Sequence, residues 1–182
     1  MKTAWLNLRH SSSERAEAFR DGLQKVGYKV VFGMPGNAPG DDDLFVTWNR
    51  IRLADQVARK FRRVVVVENA TWGNEFAGDS WLHMALDHHN TAGKFPVGNA
   101  ERWDGLGVDL APFRTAGETV IIAQRGIGSP PTAMPMHWTE SAHKRHGGRV
   151  RRHPGMSAGI PLDIDLKEAG KVVTWGSGAA VL

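Results

Sequence analysis

Arg63-Val64-Val65-Val66-Val67-Glu68 places four consecutive valines between two charged residues. A continuous β-branched run is typical of a strand that is buried on both faces of a parallel sheet. Three other apolar runs precede this stretch, and helical patterns lie among them. The predicted strands end at Leu8, Phe32, Trp48 and Val67. Strands that alternate with helices in this way indicate an α/β fold.

Three helices are predicted in the first half of the chain. Ser11-Ser12-Ser13-Glu14 is an N-cap signal, after which apolar residues recur at helical spacing as far as Val26. The apolar residues of Ile51–Phe61 share one helical face, and Ser80–His88 is predicted to form the third helix. The segment His89–Phe113 is predicted to be a long loop region, and long loops in compact domains are usually functional.

A second α/β pattern begins at Glu118–Ala123. Helices at Thr139–Arg145 and Asp163–Ala169 alternate with strands at Arg149–Arg152 and Lys171–Trp175. We therefore expect a second parallel sheet. The predicted fold class is α/β with two Rossmann-like halves, divided into residues 1–110 and 111–182, and the second half is incomplete.

The last five residues, Gly178-Ala179-Ala180-Val181-Leu182, begin an apolar helix that has neither a cap nor a polar tail. We expect a C-terminally truncated product or a fragment of a longer protein. A short C-terminal strand that ends in the core is the alternative.

Composition narrows the classes of protein to consider. The 182 residues are 41% hydrophobic and 23% charged, which is ordinary for a soluble globular protein. The chain has no cysteine, which excludes disulfides and thiolate metal sites. It has no apolar run that would span a bilayer, and we expect a cytoplasmic protein. Much of the excess positive charge lies in Lys144–Arg152, which favours an anionic ligand; a solvated basic loop is the alternative.

Three turns follow predicted strands of the second half: Gln124–Gly128, His153–Gly155 and Gly176–Gly178. Ligands of open parallel sheets bind beyond the carboxyl ends of the strands. Glycine-flanked backbone N–H groups bind phosphate, and a nearby histidine can donate a hydrogen bond to it. The turns therefore predict a pocket for a nucleotide monophosphate or diphosphate. Gly126-Ile127-Gly128 alone is weak support, because it lacks the third glycine of the dinucleotide motif.

Two of these turns carry a resemblance to a known family. Arg152-His153-Pro154-Gly155 is followed by a predicted strand and by Thr174-Trp175-Gly176-Ser177-Gly178-Ala179-Ala180. This combination resembles the second domain of GT-B glycosyltransferases, and is most similar to the capsule-polysaccharide and sialyltransferase-like groups. With Gln124-Arg125-Gly126, it also resembles uncharacterised phage and bacterial proteins. The specific resemblance covers only the last part of the chain.

The resemblance implies a GT-B-like enzyme that transfers a sugar from a nucleotide-sugar to a hydroxyl acceptor without a metal or a cofactor. Residues 1–110 would form the acceptor-side domain and residues 111–182 part of the nucleotide-sugar-binding domain. His153 would contact the donor phosphate, and the Ser177 hydroxyl would bind it. The implied nucleotide- and phosphate-binding residues are Gln124, Arg125, Gly126, Arg151, His153, Pro154, Gly176, Ser177 and Gly178. The glutamate that binds the donor ribose in many GT-B enzymes would follow the Ser177 turn, where this chain ends, which puts its activity in doubt.

Transfer to a hydroxyl group needs a base, which the first half would supply. The candidate catalytic residues are Glu68 at the end of a strand, Asp87 and His88, with His89 beside them. Within the predicted helix, His83 and Asp87 are four residues apart, and this spacing suits a pair of metal ligands. A partly exposed histidine pair is the alternative interpretation, and we predict no metal site.

Other functions are compatible with the same pattern. A sugar-nucleotide epimerase or hydrolase can share the fold, since fold does not determine chemistry. A non-catalytic nucleotide- or nucleic-acid-binding protein would use Lys144-Arg145-His146 with Arg149, Arg151 and Arg152 as contacts to backbone phosphates. The indoles of Trp72, Trp81 and Trp103 are candidates to stack on a sugar or base, or to pack beneath a loop.

Overall fold

The computed structural model describes residues 2–8, 12–70, 75–76, 79–89, 92–109, 111–127, 130, 133–153 and 159–176. The chain divides into two compact units. The first unit comprises Met1–Asn69 and Leu82–Pro96, and the second comprises Ala70–Trp81 and Val97–Leu182. The predicted division at residue 110 stays a prediction.

The described residues contain helices and strands that alternate over most of the chain. The strands are β1 (Thr3–Asn7), β2 (Lys29–Phe32), β3 (Leu44–Trp48), β4 (Arg63–Asn69), β5 (Glu75–Phe76), β6 (Asp79–Ser80), β7 (Leu82–Leu86), β8 (Glu118–Ile122), β9 (Arg149–Arg151) and β10 (Ala169–Thr174). The helices are α1 (Ser13–Lys25), α2 (Arg52–Ala58), α3 (Glu101–Asp104), α4 (Trp138–His146) and α5 (Leu162–Asp165). The Ser12 hydroxyl caps α1 by accepting a hydrogen bond from the Arg15 N–H at 3.3 Å, as the N-cap signal predicts.

The first unit contains a five-stranded sheet in the order β2-β1-β3-β4-β7. Strands β1 to β4 are parallel, which confirms the predicted first sheet. Strand β7 pairs with β4 in the antiparallel direction. Strand β1 lies between β2 and β3, so the chain passes from β1 to β2 on one side and then crosses to β3 on the other side. This reversal of direction creates a switch point at the carboxyl ends of β1 and β3.

Both faces of the first sheet are covered by helices. Phe19 and Leu23 of α1 pack on one face with Leu6, which we call the α1 face. Ala58 of α2 packs on the opposite face with Val66, which we call the α2 face. The valines of β4 alternate between the two hydrophobic clusters, as expected for a strand that is buried on both sides.

The second unit contains a three-stranded parallel sheet in the order β10-β8-β9. This confirms the predicted second parallel sheet. Leu162 and Leu166, in and just after α5, pack against Val120, Ile122 and Val172. Helix α4 connects β8 to β9, and α5 connects β9 to β10. A short antiparallel pair, β5 and β6, also belongs to this unit.

The predicted helix over Ser80–His88 is wrong, because this segment contains strand β7. Leu82, Met84 and Leu86 alternate with His83 and Ala85, and a period of two suits a strand. Pairing with β7 satisfies the backbone groups at the open side of β4.

The predicted helix over Asp163–Ala169 is shorter than expected. Helix α5 ends at Asp165, and Ala169 already begins β10. The two parallel sheets with their connecting helices confirm an α/β fold. Among the described residues, none of the helices has the length and apolar character needed to cross a membrane.

Candidate functional site

Three of the predicted turns begin at one edge of the second sheet. Strand β8 pairs in parallel with both β9 and β10, so the carboxyl ends of all three strands meet at this edge. The segments Arg152–His153 and Trp175–Gly176 follow the ends of β9 and β10 directly, and Gln124–Ile127 follows the end of β8 after one residue. We call these three segments the strand-end turns. The remaining predicted binding residues, Pro154, Ser177 and Gly178, lie outside the described residues.

The turn after β8 is held by a sulfur contact. The Gln124 N–H donates a hydrogen bond to Met134 Sδ at 3.3 Å, and the Thr139 hydroxyl lies 3.7 Å from the same sulfur. Thr139 belongs to the first turn of α4, so this contact joins the β8 turn to the start of that helix. Arg125 and Gly126 are exposed, and Gly126 has a φ of +66°.

The surroundings of His153 lower the pKa of its imidazole. Partial burial lowers the pKa of His153 first, and the positive charges of Arg125 and Arg151 lower it further. Arg125 follows β8 and His153 follows β9, so groups from neighbouring strands are near each other. A neutral imidazole still donates one hydrogen bond. An anion at this edge would be attracted by Arg125, and would favour protonation of His153.

Arg151 has partners within the second unit. Its side chain is only 9% exposed, its Nε lies 2.5 Å from Asp165 Oδ2, and its Nη2 donates to the Ile160 carbonyl at 2.8 Å. Arg149 reaches the same carboxylate at 2.9 Å and Glu118 at 2.9 Å. These contacts tie β8, β9 and α5 together. The phosphate-binding role of Arg151 stays a prediction, and a ligand there would compete with Asp165.

The nucleic-acid interpretation depended on the basic stretch Lys144–Arg152. Arg149 and Arg151 are both ion-paired with Asp165. Lys144 and Arg145 are exposed in the last turn of α4, and this helix runs from the carboxyl ends of the strands towards the start of β9. The basic stretch therefore does not present all its charges to one ligand, which weakens the case for a phosphate-backbone patch.

The end of β10 contributes two further features. Gly176 has a φ of +52°, in the left-handed region that glycine adopts without strain. The Thr174 hydroxyl is buried and has no hydrogen-bond partner among the described residues. Buried polar groups are usually hydrogen-bonded, so an unpaired hydroxyl at this edge is a group that a ligand or water would satisfy.

The first unit has a polar group at its own switch point. The Asn7 amide donates to the Thr47 hydroxyl at 3.0 Å, and the two residues are register partners near the ends of β1 and β3. Thr47 is fully buried and Asn7 is 8% exposed. Polar side chains at this depth must be hydrogen-bonded, and this pair satisfies that need internally.

Glu68 lies at the same carboxyl edge of the first sheet. It is the register partner of His83, and both residues belong to the α2 face by alternation with Val66 and Ala85. Burial raises the pKa of the Glu68 carboxyl and lowers the pKa of the His83 imidazole. The His83 ring stacks on Phe95 with centroids 5.0 Å apart. Both shifts favour the uncharged form, which is a protonated carboxyl for Glu68 and a neutral imidazole for His83.

Asp87 and His88 lie at the other end of β4. The Asp87 N–H donates to the Val64 carbonyl at 2.9 Å, four residues before Glu68. A strand rises about 3.3 Å per residue, so the backbones of Asp87 and Glu68 are roughly 13 Å apart along the sheet. His83 and Asp87 are separated by a similar distance, which removes the helical spacing proposed for a metal pair. The described residues contain no group of three or more potential metal ligands.

A cluster of charged and imidazole groups covers the α2 face beside β7. Asp55 Oδ1 lies 2.8 Å from Arg50 Nε, and Asp55 Oδ2 lies 2.9 Å from Arg59 Nε. Arg50 also donates to the Asp87 carbonyl, which fixes the start of the loop that follows β7. The Asp87 carboxylate pairs with Lys94 at 2.6 Å. We call Arg50, Asp55, Arg59, Asp87, His88, His89 and Lys94 the Arg50 cluster.

His89 is the most buried group of this cluster, at 6% exposure. Burial lowers the pKa of His89 to about 4, and the charges of His88, Arg50 and His83 contribute. Its Nδ1 has no hydrogen-bond partner among the described residues. The loop packs tightly here, because a Cβ at Gly93 would lie 2.6 Å from both the Ala85 Cβ and the His88 carbonyl oxygen.

Comparison of the chain with protein families, curated proteins and solved structures finds no match in any of the three.

Sequence patterns alone do not identify several residues of these sites. Asn7 and Thr47 were assigned only to strands, although both are polar residues at the ends of apolar runs. His83 was placed on a helix, which concealed its position opposite Glu68. Trp138 and Trp175 are not marked as ligand contacts by the sequence pattern, although Trp175 belongs to a strand-end turn and Trp138 begins the helix that follows another.

Proposed function

We propose that the protein is a glycosyltransferase that binds the phosphate of a nucleotide-sugar at the strand-end turns of the second unit. The sugar would be transferred to a hydroxyl acceptor. In this proposal the two units are the two Rossmann-like halves of a GT-B-like enzyme that acts in the cytoplasm. The strand orders β2-β1-β3 and β10-β8-β9 support it, since each places the first strand between the next two.

The observation that carries the proposal is that Arg125 and His153 follow two paired parallel strands, β8 and β9, at one edge of the sheet, where the charge of Arg125 contributes to the lowered pKa of His153. Gly176 starts a turn at the same edge after β10. A guanidinium group, an imidazole and a glycine turn are suitable donors for phosphate oxygens. The switch point between β8 and β10 is where nucleotides bind in sheets of this type.

The first unit would supply the base in this reaction. Glu68 fits this role better than Asp87 or His88, because it lies at a carboxyl edge and its pKa is raised by burial. Asp87 is instead paired with Lys94, and its backbone is bound by Arg50. In the transfer, the base would take the proton of the acceptor hydroxyl as the hydroxyl oxygen bonds to the sugar carbon and the nucleotide leaves.

A panel of nucleotide-sugars tests the proposal. Incubation of the protein with each compound, with and without simple sugar acceptors, should release the free nucleotide from at least one of them, and Arg125→Ala should weaken binding of that donor. Arg145→Ala is the matched control, since it removes the same charge from the far end of α4. Release of a nucleotide without formation of a glycoside would favour the hydrolase alternative. Failure of every nucleotide and nucleotide-sugar to bind would contradict the proposal.

A further inference from the structure

Trp138 and Trp175 meet beside the strand-end turns. Their ring centroids are 6.1 Å apart with an interplanar angle of 67°, an edge-to-face arrangement. Both side chains are partly exposed. Trp175 immediately follows β10, and Trp138 is the first residue of α4.

The indole pair is joined to the turn after β8. Trp138 precedes Thr139, whose hydroxyl contacts the Met134 sulfur that also accepts a hydrogen bond from the Gln124 N–H. The backbone N–H of Trp138 donates to the Pro135 carbonyl at 3.0 Å, which fixes the start of the helix. The pair therefore flanks the switch point between β8 and β10.

The spacing of the strands sets the distance to the phosphate-binding groups. Neighbouring strands are about 4.8 Å apart, so the ends of β10 and β9 are separated by roughly 10 Å. Trp175 follows the first of these strands and His153 follows the second. This separation is comparable to that between the base and the terminal phosphate of a nucleoside diphosphate.

We propose that one indole of the Trp138–Trp175 pair stacks on the base of the nucleotide whose phosphates bind at Arg125 and His153, and that the other indole supports it edge-on. This inference rests on the proposed function, because it assigns the base end of the same nucleotide. Aromatic side chains that stack on bases recognise the π-face that every base has, so the pair would contribute affinity with little selectivity among bases.

The test compares nucleoside diphosphates with inorganic pyrophosphate by isothermal titration calorimetry. ADP, GDP, CDP and UDP are titrated into the parent protein, and the tightest is used for the variants. Trp138→Leu and Trp175→Leu should each weaken its binding roughly 5- to 100-fold, the range expected from loss of one base–aromatic stack. The affinity for pyrophosphate should stay within about twofold of the parent value, since pyrophosphate has no base.

Two further variants separate stacking from packing. Trp175→Phe keeps an aromatic ring and should retain most of the affinity for the nucleoside diphosphate. Phe113→Leu removes a fully exposed aromatic ring of the same unit and should leave both affinities unchanged. Thermal unfolding monitored by circular dichroism establishes which variants are folded.

The outcomes distinguish this inference from the proposed function. If pyrophosphate binds and the folded leucine variants bind the nucleoside diphosphate like the parent, the inference is wrong and the phosphate site stands. An equal loss of affinity for pyrophosphate and for the nucleoside diphosphate would show that the indoles only support the turns. A loss of affinity for the nucleotide-sugar alone would assign the indoles to the sugar. Either result contradicts the inference. A parent protein that binds neither pyrophosphate nor any nucleotide contradicts both proposals.

Discussion

Glu68 of β4 and His83 of β7 are directly opposite each other in the antiparallel register of the first sheet. Burial acts on them in opposite directions, since it raises the pKa of the carboxyl and lowers the pKa of the imidazole. Both shifts favour the uncharged form of the group, and the raised pKa makes the Glu68 carboxylate a stronger base towards a substrate hydroxyl. This relationship makes Glu68 the strongest candidate for the base.

Replacing Glu68 by Gln should therefore lower the rate of turnover without changing the affinity for the nucleotide. We expect turnover to fall about 10²- to 10⁴-fold, the usual contribution of a general base, with nucleotide affinity unchanged. Initial rates of nucleotide release and calorimetric titration measure the two quantities. Glu14→Gln on the exposed side of α1 is the control. Unchanged turnover in a folded Glu68→Gln variant would remove Glu68 from the mechanism.

Acid should destabilise the first unit through His89. Its pKa falls from an ordinary value of 6.5 to about 4 on folding, mainly because of burial. Between these values the unfolded chain binds more protons than the folded chain, so the free energy of unfolding rises with pH and is lost on acidification. A shift of this size corresponds to about 3 kcal/mol over the window.

The variant His89→Gln cannot titrate, so its free energy of unfolding should depend less steeply on pH between 6.5 and 4. Urea unfolding at several pH values measures the slope. His143→Gln, at an exposed position on α4, should reproduce the parent slope. An unchanged slope in His89→Gln would mean that this imidazole does not become protonated on unfolding.

Asp55 holds the Arg50 cluster together. Its side chain is 12% exposed and contacts both Arg50 and Arg59. Burial alone would raise the pKa of Asp55, but hydrogen bonds from Arg59 and Arg50 give it a net lowered value. Asp55→Ala leaves the half-buried Arg50 without its carboxylate and should reduce the free energy of unfolding by about 3 kcal/mol.

The matched control for Asp55 is Asp41→Ala. Asp41 pairs with Arg62 at 3.4 Å, but both side chains are more than 70% exposed. Exposed pairs contribute about 0–1 kcal/mol, so this change should have little effect on urea unfolding. Equal effects of the two substitutions would contradict a structural role for the Arg50 cluster.

The backbone conformation and close packing at position 148 of the second unit require glycine. Its φ is +85°, and a Cβ there would lie 2.1 Å from the Thr119 carbonyl oxygen. Gly148→Ala combines a clash with backbone strain and should destabilise the protein by about 2 kcal/mol or more. Gly36→Ala is the comparison, since a Cβ at Gly36 meets no atom within 4 Å. Similar midpoints of thermal unfolding for both variants would contradict this account.

The parallel strands could be predicted because each one is a short apolar run bounded by turn residues. Val64–Val67 was assigned correctly, since four β-branched residues suit a strand buried on both faces. Strand β7 could not be recognised in the same way. Met84 and Leu86 are exposed, so the alternation around them lacks the polar outer face that marks an ordinary edge strand.

The candidate sites were predictable only in part. Arg125 and His153 follow strands whose parallel alignment brings them to one edge, and sequence order is enough to expect this. The ion pair of Arg151 could not be predicted in this way. Arg152 is exposed, but Arg151 is buried and its guanidinium group pairs with Asp165 of α5. The position of Asp165 depends on tertiary packing, which charge patterns along the chain do not reveal.

In the proposed function, Arg125 and His153 bind the phosphates of a nucleotide. Isothermal titration calorimetry of nucleoside diphosphates into the parent, His153→Ala and the control His143→Ala tests it most directly. A hydrogen bond to a charged group contributes about 1.5–3 kcal/mol, so His153→Ala should weaken binding roughly 10- to 100-fold while His143→Ala has no effect. A folded His153→Ala variant that binds as tightly as the parent would contradict the claim.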